Sequence, residues 1–152
     1  AARLEMVRSG FAARIGLSGI QYTVMISIAH LGEEDGVPVK DVAEHLAISG
    51  SFATIVAGQL ARNELVEKRT DREDRRRVRL RVTARGRSLL NRLAPAQRQV
   101  NDVLFEPLDR GALAAMDRSM AALIESGDEA IALLHYLSGA RGQRPSSRRA
   151  AA

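Results

Sequence analysis

The chain contains no cysteine among its 152 residues. It therefore cannot form disulfides, sense oxidants through a thiol or build a cysteine zinc site, and a reducing cytosol suits it. Aromatic residues make up only 3%, so Leu, Ile, Val, Ala and Met must fill the interior. No apolar run approaches the ~18 residues of a membrane span. The longest candidate, Ile20 to Leu31, is interrupted by Gln21, Thr23, Ser27 and His30. The first residues lack the basic, apolar, small-residue order of a signal segment. They also lack Met, opening inside Arg3-Leu4-Glu5-Met6-Val7, and further residues are expected upstream. His30, His45 and His135 stand at separations that match no metal motif. Neither a nucleophile–base pairing nor a phosphate-cradling glycine loop is present. These gaps predict a soluble, cytoplasmic, non-enzymatic protein with no metal, no cofactor and no membrane partner.

What remains is ordinary globular material, 45% apolar and 27% charged, long enough for one domain with extensions. Its charge is unevenly placed. Between Val66 and Arg87 stand ten basic residues (Lys68, Arg69, Arg72, Arg75, Arg76, Arg77, Arg79, Arg81, Arg85 and Arg87) against four acids, Glu67, Asp71, Glu73 and Asp74. That excess of six exceeds the net +5 of the whole chain, so the remainder is slightly acidic. Such a concentration calls for a polyanion or for dense ion pairing, and nucleic acid is the usual polyanion.

The periodicity predicts a mainly helical, α+β chain. Leu4, Val7, Phe11 and Ile15 stripe a first helix over residues 3–15, ended by Gly16. Ser18 stands where an N-cap belongs, before a central helix over Ile20 to Leu31. After the acidic loop 32–36, Pro38 is expected to open a short helix carrying Val42, Ala43 and Leu46. A turn over Ala47 to Gly50 leads to a second helix from about Ser51 to Asn63, with Ala53, Val56, Ala57 and Leu60 as its buried seam. Two short helices about a tight turn form a helix-turn-helix pattern.

Val78, Leu80 and Val82 then alternate with Arg79 and Arg81, the period of a half-buried strand. Val66 to Thr70 is its expected partner and Asp71 to Arg77 the hairpin loop, a wing. Thr83 should cap the next helix, Pro95 should bend or interrupt it, and Asp109 should cap a last helical stretch that Ser126-Gly127 breaks. From about Ala140 the chain reads as a disordered basic tail.

With these elements in order, the chain resembles the MarR family of winged helix-turn-helix transcriptional regulators. The resemblance rests on Leu17-Ser18-Gly19-Ile20-Gln21-Tyr22, on Asp41 through Ser49, on Thr54, Leu60 and Leu65-Val66, and on Leu80, Val82-Thr83 and Gly86. Its most specific piece is the wing segment Asp71-Arg72-Glu73-Asp74-Arg75-Arg76. It implies a homodimer in which residues 1–16 and 91–139 form the dimerisation helices, residues 17–90 the DNA-binding domain and residues 140–152 a tail. It also implies a recognition helix in the major groove of double-stranded operator DNA and a wing tip near the minor groove. The expected regulator is a repressor released by a small ligand, aromatic or anionic.

Several residues then take candidate roles. Arg72, Arg75, Arg76 and Arg77 can place a guanidinium in a narrow minor groove, and Arg79 and Arg81 can face phosphates along the strand. By resemblance, Asp74 would pair with Arg76 and orient it. On the recognition helix, Ser49, Ser51, Thr54, Gln59 and Arg62 are the polar readers. Gln59 suits adenine, while Ile55 and Phe52 suit a thymine methyl or else pack against a neighbouring helix. Family members often carry a long polar residue where this chain has Ile55, and glycine where it has Glu64. An effector cavity would be bordered by Arg14, Tyr22, Met25 and His30, residues that serve equally as core and rim. The alternatives to an operator-binding regulator are a solvated charge run on a hairpin, a sequence-tolerant architectural DNA binder and a partner-binding protein that has lost DNA contact.

Overall fold

The computed structural model describes residues 2–32, 35–71, 74 and 77–140. Six helices and three strands follow in the order α1 (Ala2–Arg14), α2 (Gly19–Leu31), β1 (Val37–Pro38), α3 (Val39–His45), α4 (Gly50–Arg62), β2 (Val66–Thr70), β3 (Val78–Val82), α5 (Ala84–Phe105) and α6 (Arg110–Ala140). The architecture is the predicted winged helix-turn-helix.

Local chemistry sets most element boundaries. The Ser18 hydroxyl accepts the Gln21 amide, and the Gln21 side chain accepts in turn from the Ser18 amide, closing a capping box on α2. Ser49 caps α4 by accepting from the Phe52 amide, so that helix begins one residue earlier than its periodicity suggests. Thr83 accepts from the Gly86 amide at the start of α5, and Asp109 accepts from the Ala112 amide at the start of α6.

Three helices end in the same way. After α1, α3 and α4 the chain turns through a left-handed residue, Gly16 (φ 70°), Ala47 (φ 51°) and Glu64 (φ 59°). Each time the next amide reaches back to a carbonyl five residues earlier: Leu17 to Ala12, Ile48 to Ala43, Leu65 to Leu60. This is the Schellman termination, which usually employs glycine. Only the first of the three has one here.

The sheet has the order β1-β3-β2, all antiparallel, with Val66 opposite Val82, Thr70 opposite Val78 and Val37 opposite Leu80. Strand β1 corrects one expectation. Pro38 does not open a helix; it lies in β1 opposite Arg79 and occupies the cap position of α3. In α5 and α6 two expected interruptions are absent. Pro95 lies inside a continuous 22-residue α5, and Ser126-Gly127 lies inside a continuous 31-residue α6. The expected tail beyond residue 140 lies outside the described residues.

The chain divides into two compact units after Asp102. In the first, Val24, Met25, Ile28, Val42, Val56, Leu60 and Leu80 are essentially sealed from solvent. Helix α2 is the centre of that core, packed by α1, α3, α4 and β3. Gly86 permits the closest approach, because a methyl there would meet the Leu65 carbonyl oxygen and Val82. In the second unit, α6 shows no buried residue over Arg110 to Ser138, and Leu123, Ile124 and Leu134 are each more than 60% exposed.

Candidate nucleic-acid interface

The Schellman turn after α3 and the Ser49 cap set the angle between the two short helices. With Ala53, Val56, Ala57 and Leu60 buried, α4 turns its other side outward. Phe52 is 43% and Ile55 58% exposed, so both present apolar surface to solvent.

The polar groups of this face are largely engaged within the fold. Ser49 and Ser51 hydroxyls lie 3.2 Å apart, and Ser49 also caps the helix. Thr54 donates its hydroxyl to the Gly50 carbonyl at 2.8 Å. Gln59 is half-buried, and its side-chain oxygen accepts from Gln21 Nε2 at 3.0 Å. Since Gln21 is also part of the α2 cap, Gln59 is held by the helix behind it. Arg62 is exposed at the C-terminal end of α4.

The wing follows. Asp71 organises its turn: Oδ1 accepts the Asp74 amide at 3.3 Å, and its backbone amide donates to the Arg77 carbonyl at 2.9 Å. Its Oδ2 pairs with Arg79 Nη1 at 3.1 Å. In the sequence Asp71 stands out only as a countercharge; its place at the first loop position is the signal that marks it as a turn former. Arg77 Nε pairs with Asp74 Oδ2 at 3.3 Å while the Arg77 side chain remains 69% exposed. The described partner of Asp74 is thus Arg77, whereas Arg76, expected in that role, lies outside the described residues together with Arg72 and Arg75.

Arg79, expected to face phosphates, is also held within the fold: its guanidinium donates to the Asp35 carbonyl at 3.1 Å and the Gly36 carbonyl at 2.7 Å while pairing with Asp71. It fastens β3 to the strand entering α3. Arg81 lies opposite Glu67 in register, with Nε 3.7 Å from a carboxylate oxygen that also pairs with Arg69 at 3.0 Å. Two guanidiniums thus share one acid on the strand face, leaving a net positive charge there.

The four residues expected around an effector do not converge. Arg14 lines two clefts between α1 and α5, of about 410 Å³ with Ile15, Leu89, Arg92 and Leu93 and about 400 Å³ with Phe11, Gln99 and Val100 among others. Tyr22 is buried, with its ring centroid 6.3 Å from that of Phe11. Its hydroxyl accepts from Gln97 Nε2 at 2.7 Å. Burial pushes the Tyr22 phenol above its ordinary value of 10.0, and the Gln97 bond opposes that rise. Met25 is core. His30 is exposed near the far end of α2, with its ring centroid 6.3 Å from that of His45. Eight residues of helix, ~12 Å, separate it from Tyr22.

Among the described residues no three acids or histidines cluster as a metal site, and no single helix is long and apolar enough to cross a membrane. No curated protein matches the chain by sequence. Among solved structures, PcaV, a transcriptional regulator from Streptomyces coelicolor in complex with its natural ligand, is 23% identical at a TM-score of 0.65, covering 83% of this chain and 89% of that one. The regulator MosR of M. tuberculosis, in complex with DNA, is 19% identical at a TM-score of 0.67, covering 85% and 90%. A mutant MarR of E. coli complexed with operator DNA is 14% identical at 0.68, covering 80% and 86%. These likenesses establish a shared fold. Residues 15–77, which span the helix-turn-helix and enter the wing, match the MarR family profile. In that segment the chain is similar to the MarR family, and its fold is the winged-helix fold of these structures.

Proposed function

We propose that this regulator acts in the cytoplasm as a homodimer on a pseudo-palindromic operator, with residues 1–16 and 91–139 as dimerisation segments and residues 17–90 as the DNA-binding domain. Half-sites would lie about one turn, ~10 bp, apart. The observation that carries the reading is the placement of an outward α4 face directly before a hairpin rich in arginine. Helix α4 enters the major groove, and Arg72, Arg75, Arg76 and Arg77 of the wing reach the minor groove. Asp74 restrains the wing through Arg77, and Arg62 and Arg81 supply phosphate contacts. Solved structures of the same fold bound to DNA support it.

The apolar residues exposed along α6 and on α1, where Leu4 is 56% and Met6 73% exposed, support the homodimer. Repression relieved by a small anionic or aromatic ligand is the regulatory part of the proposal. Arg14, beside Arg92 in the larger α1/α5 cleft, is its best-placed contact, and the ligand-bound structure of PcaV supports it.

Replacing Arg75 and Arg76 with Ala should weaken DNA binding by tenfold or more at low salt and flatten its dependence on salt, by about one counterion per lost phosphate contact. Binding that matches the parent at every salt concentration would remove the wing from the interface. A second reading, a sequence-tolerant architectural binder, is favoured by the engaged polar groups of α4. Equal affinity for a selected operator and for random duplex in gel-shift competition would establish it.

A further inference from the structure

The outward face of α4 has an unusual division of chemistry. It exposes two large apolar side chains, Ile55 at 58% and Phe52 at 43%, one helical turn apart. Its hydrogen-bonding groups are held from behind. Bidentate recognition of adenine needs an amide that offers an acceptor to N6 and a donor to N7. The Gln59 oxygen accepts from Gln21 Nε2, which turns the amide toward α2, and Gln21 is fixed in turn by the Ser18 amide. The Thr54 hydrogen is given to Gly50, and Ser49 and Ser51 face each other.

Of the base-edge groups in the major groove, the one that rewards an apolar side chain is the methyl on C5 of a pyrimidine. We infer that Ile55 and Phe52 make this protein a reader of C5-methyl groups, so that thymine is recognised by its methyl rather than through hydrogen bonds to its partner adenine. The inference rests on α4 entering the major groove, as proposed above. Gln21 is then a positioning residue: by holding the Gln59 amide back, it lets Ile55 and Phe52 approach the groove floor.

Uracil provides the test, because it removes the methyl and leaves every hydrogen-bonding edge and the minor groove unchanged. The best binding sequence is first selected from a random duplex pool with the full chain. A pool from which no sequence emerges overturns the operator reading, and this inference with it. With an operator in hand, each thymine is replaced singly by uracil and affinity is read by fluorescence anisotropy. At thymines under α4 the loss should be about fourfold per methyl, the size expected for one buried methylene-sized group. Changing the symmetric pair of both half-sites should give about 15-fold.

Ile55→Ala and Phe52→Ala, both at exposed positions, should bind the parent operator more weakly and lose their sensitivity to uracil. Replacing a thymine with 5-methylcytosine should cost less than replacing it with cytosine, because only the former keeps the methyl. Gln59→Ala should change affinity less than threefold. If uracil is tolerated at every position, or if Gln59→Ala alone costs tenfold or more, the inference is wrong while the operator reading stands.

Discussion

Helices α2 and α6 make an instructive pair. Both are rich in Ile, Leu and Met, yet α2 buries Tyr22, Val24, Met25, Ser27 and Ile28 within 13 residues. Over Arg110 to Ser138, α6 buries none. The first helix lies among neighbours that the same chain supplies; the second carries a long apolar face that the described residues leave uncovered. A monomeric surface seldom exposes such a contiguous patch. The winged unit is thus complete on its own residues, whereas α6 calls for a second surface, which the proposed dimer supplies.

The strongest way to break this comparison is to charge the uncovered face. Leu123→Asp with Ile124→Asp should raise the dimer dissociation constant by about 100-fold or more, since each buried aliphatic side chain contributes about 1.5–3 kcal/mol. Sedimentation velocity would show it; a dimer that persists unchanged would place the interface elsewhere. The winged unit should respond in the opposite sense. Leu80→Ala, at a fully buried position, should cost about 2–5 kcal/mol in denaturant unfolding and leave the association constant of the folded protein nearly unchanged.

A smaller effect concerns the helix ends inside the winged unit. Ala47 adopts φ 51°, a conformation that costs a non-glycine residue about 1–2 kcal/mol. Ala47→Gly should therefore stabilise the unit by about 0.5 kcal/mol, once the extra backbone entropy of glycine is subtracted. Calorimetric melting that shows a lower midpoint would contradict this.

The two tyrosines allow the gentlest test. Tyr22 is buried and Tyr136 is 73% exposed. Because the folded Tyr22 phenol ionises above 10.0, the unfolded chain loses that proton first as pH rises. The stabilisation is complete below pH ~10 and declines as pH climbs through the folded value. Tyr22→Phe should remove that part of the alkaline decline, and Tyr136→Phe should leave it in place, as read by urea midpoints across pH 9 to 11.

The sequence makes some of this legible and hides the rest for physical reasons. The hairpin is readable because Val78, Leu80 and Val82 alternate with arginine, and a period of two suits a strand and little else. Caps at Ser18, Thr83 and Asp109 are readable because their chemistry is local. Strand β1 is not, since two residues carry no period and Pro38 has equal standing before a helix. Pro95 and Ser126-Gly127 look like breaks, yet both helices continue through them. In the candidate interface, alternation tells which residues of β3 are polar but not which partners they find. Arg79 therefore looks like a phosphate contact although three groups of its own fold hold it. Gln59 likewise looks like a base reader, because nothing local reveals that Gln21, on another helix, engages it.

The Arg79 clamp has a metrical consequence. It binds β3 to the Gly36 carbonyl, just ahead of the two-residue strand that runs directly into α3. On the proposed DNA-binding reading, this tie would hold wing and helix-turn-helix at one spacing, like the two jaws of a caliper. One inserted base pair would displace the wing's target by ~3.4 Å along the duplex and by roughly 35° around it. A caliper without play should refuse that duplex, and loosening Arg79 should restore tolerance at the expense of accuracy.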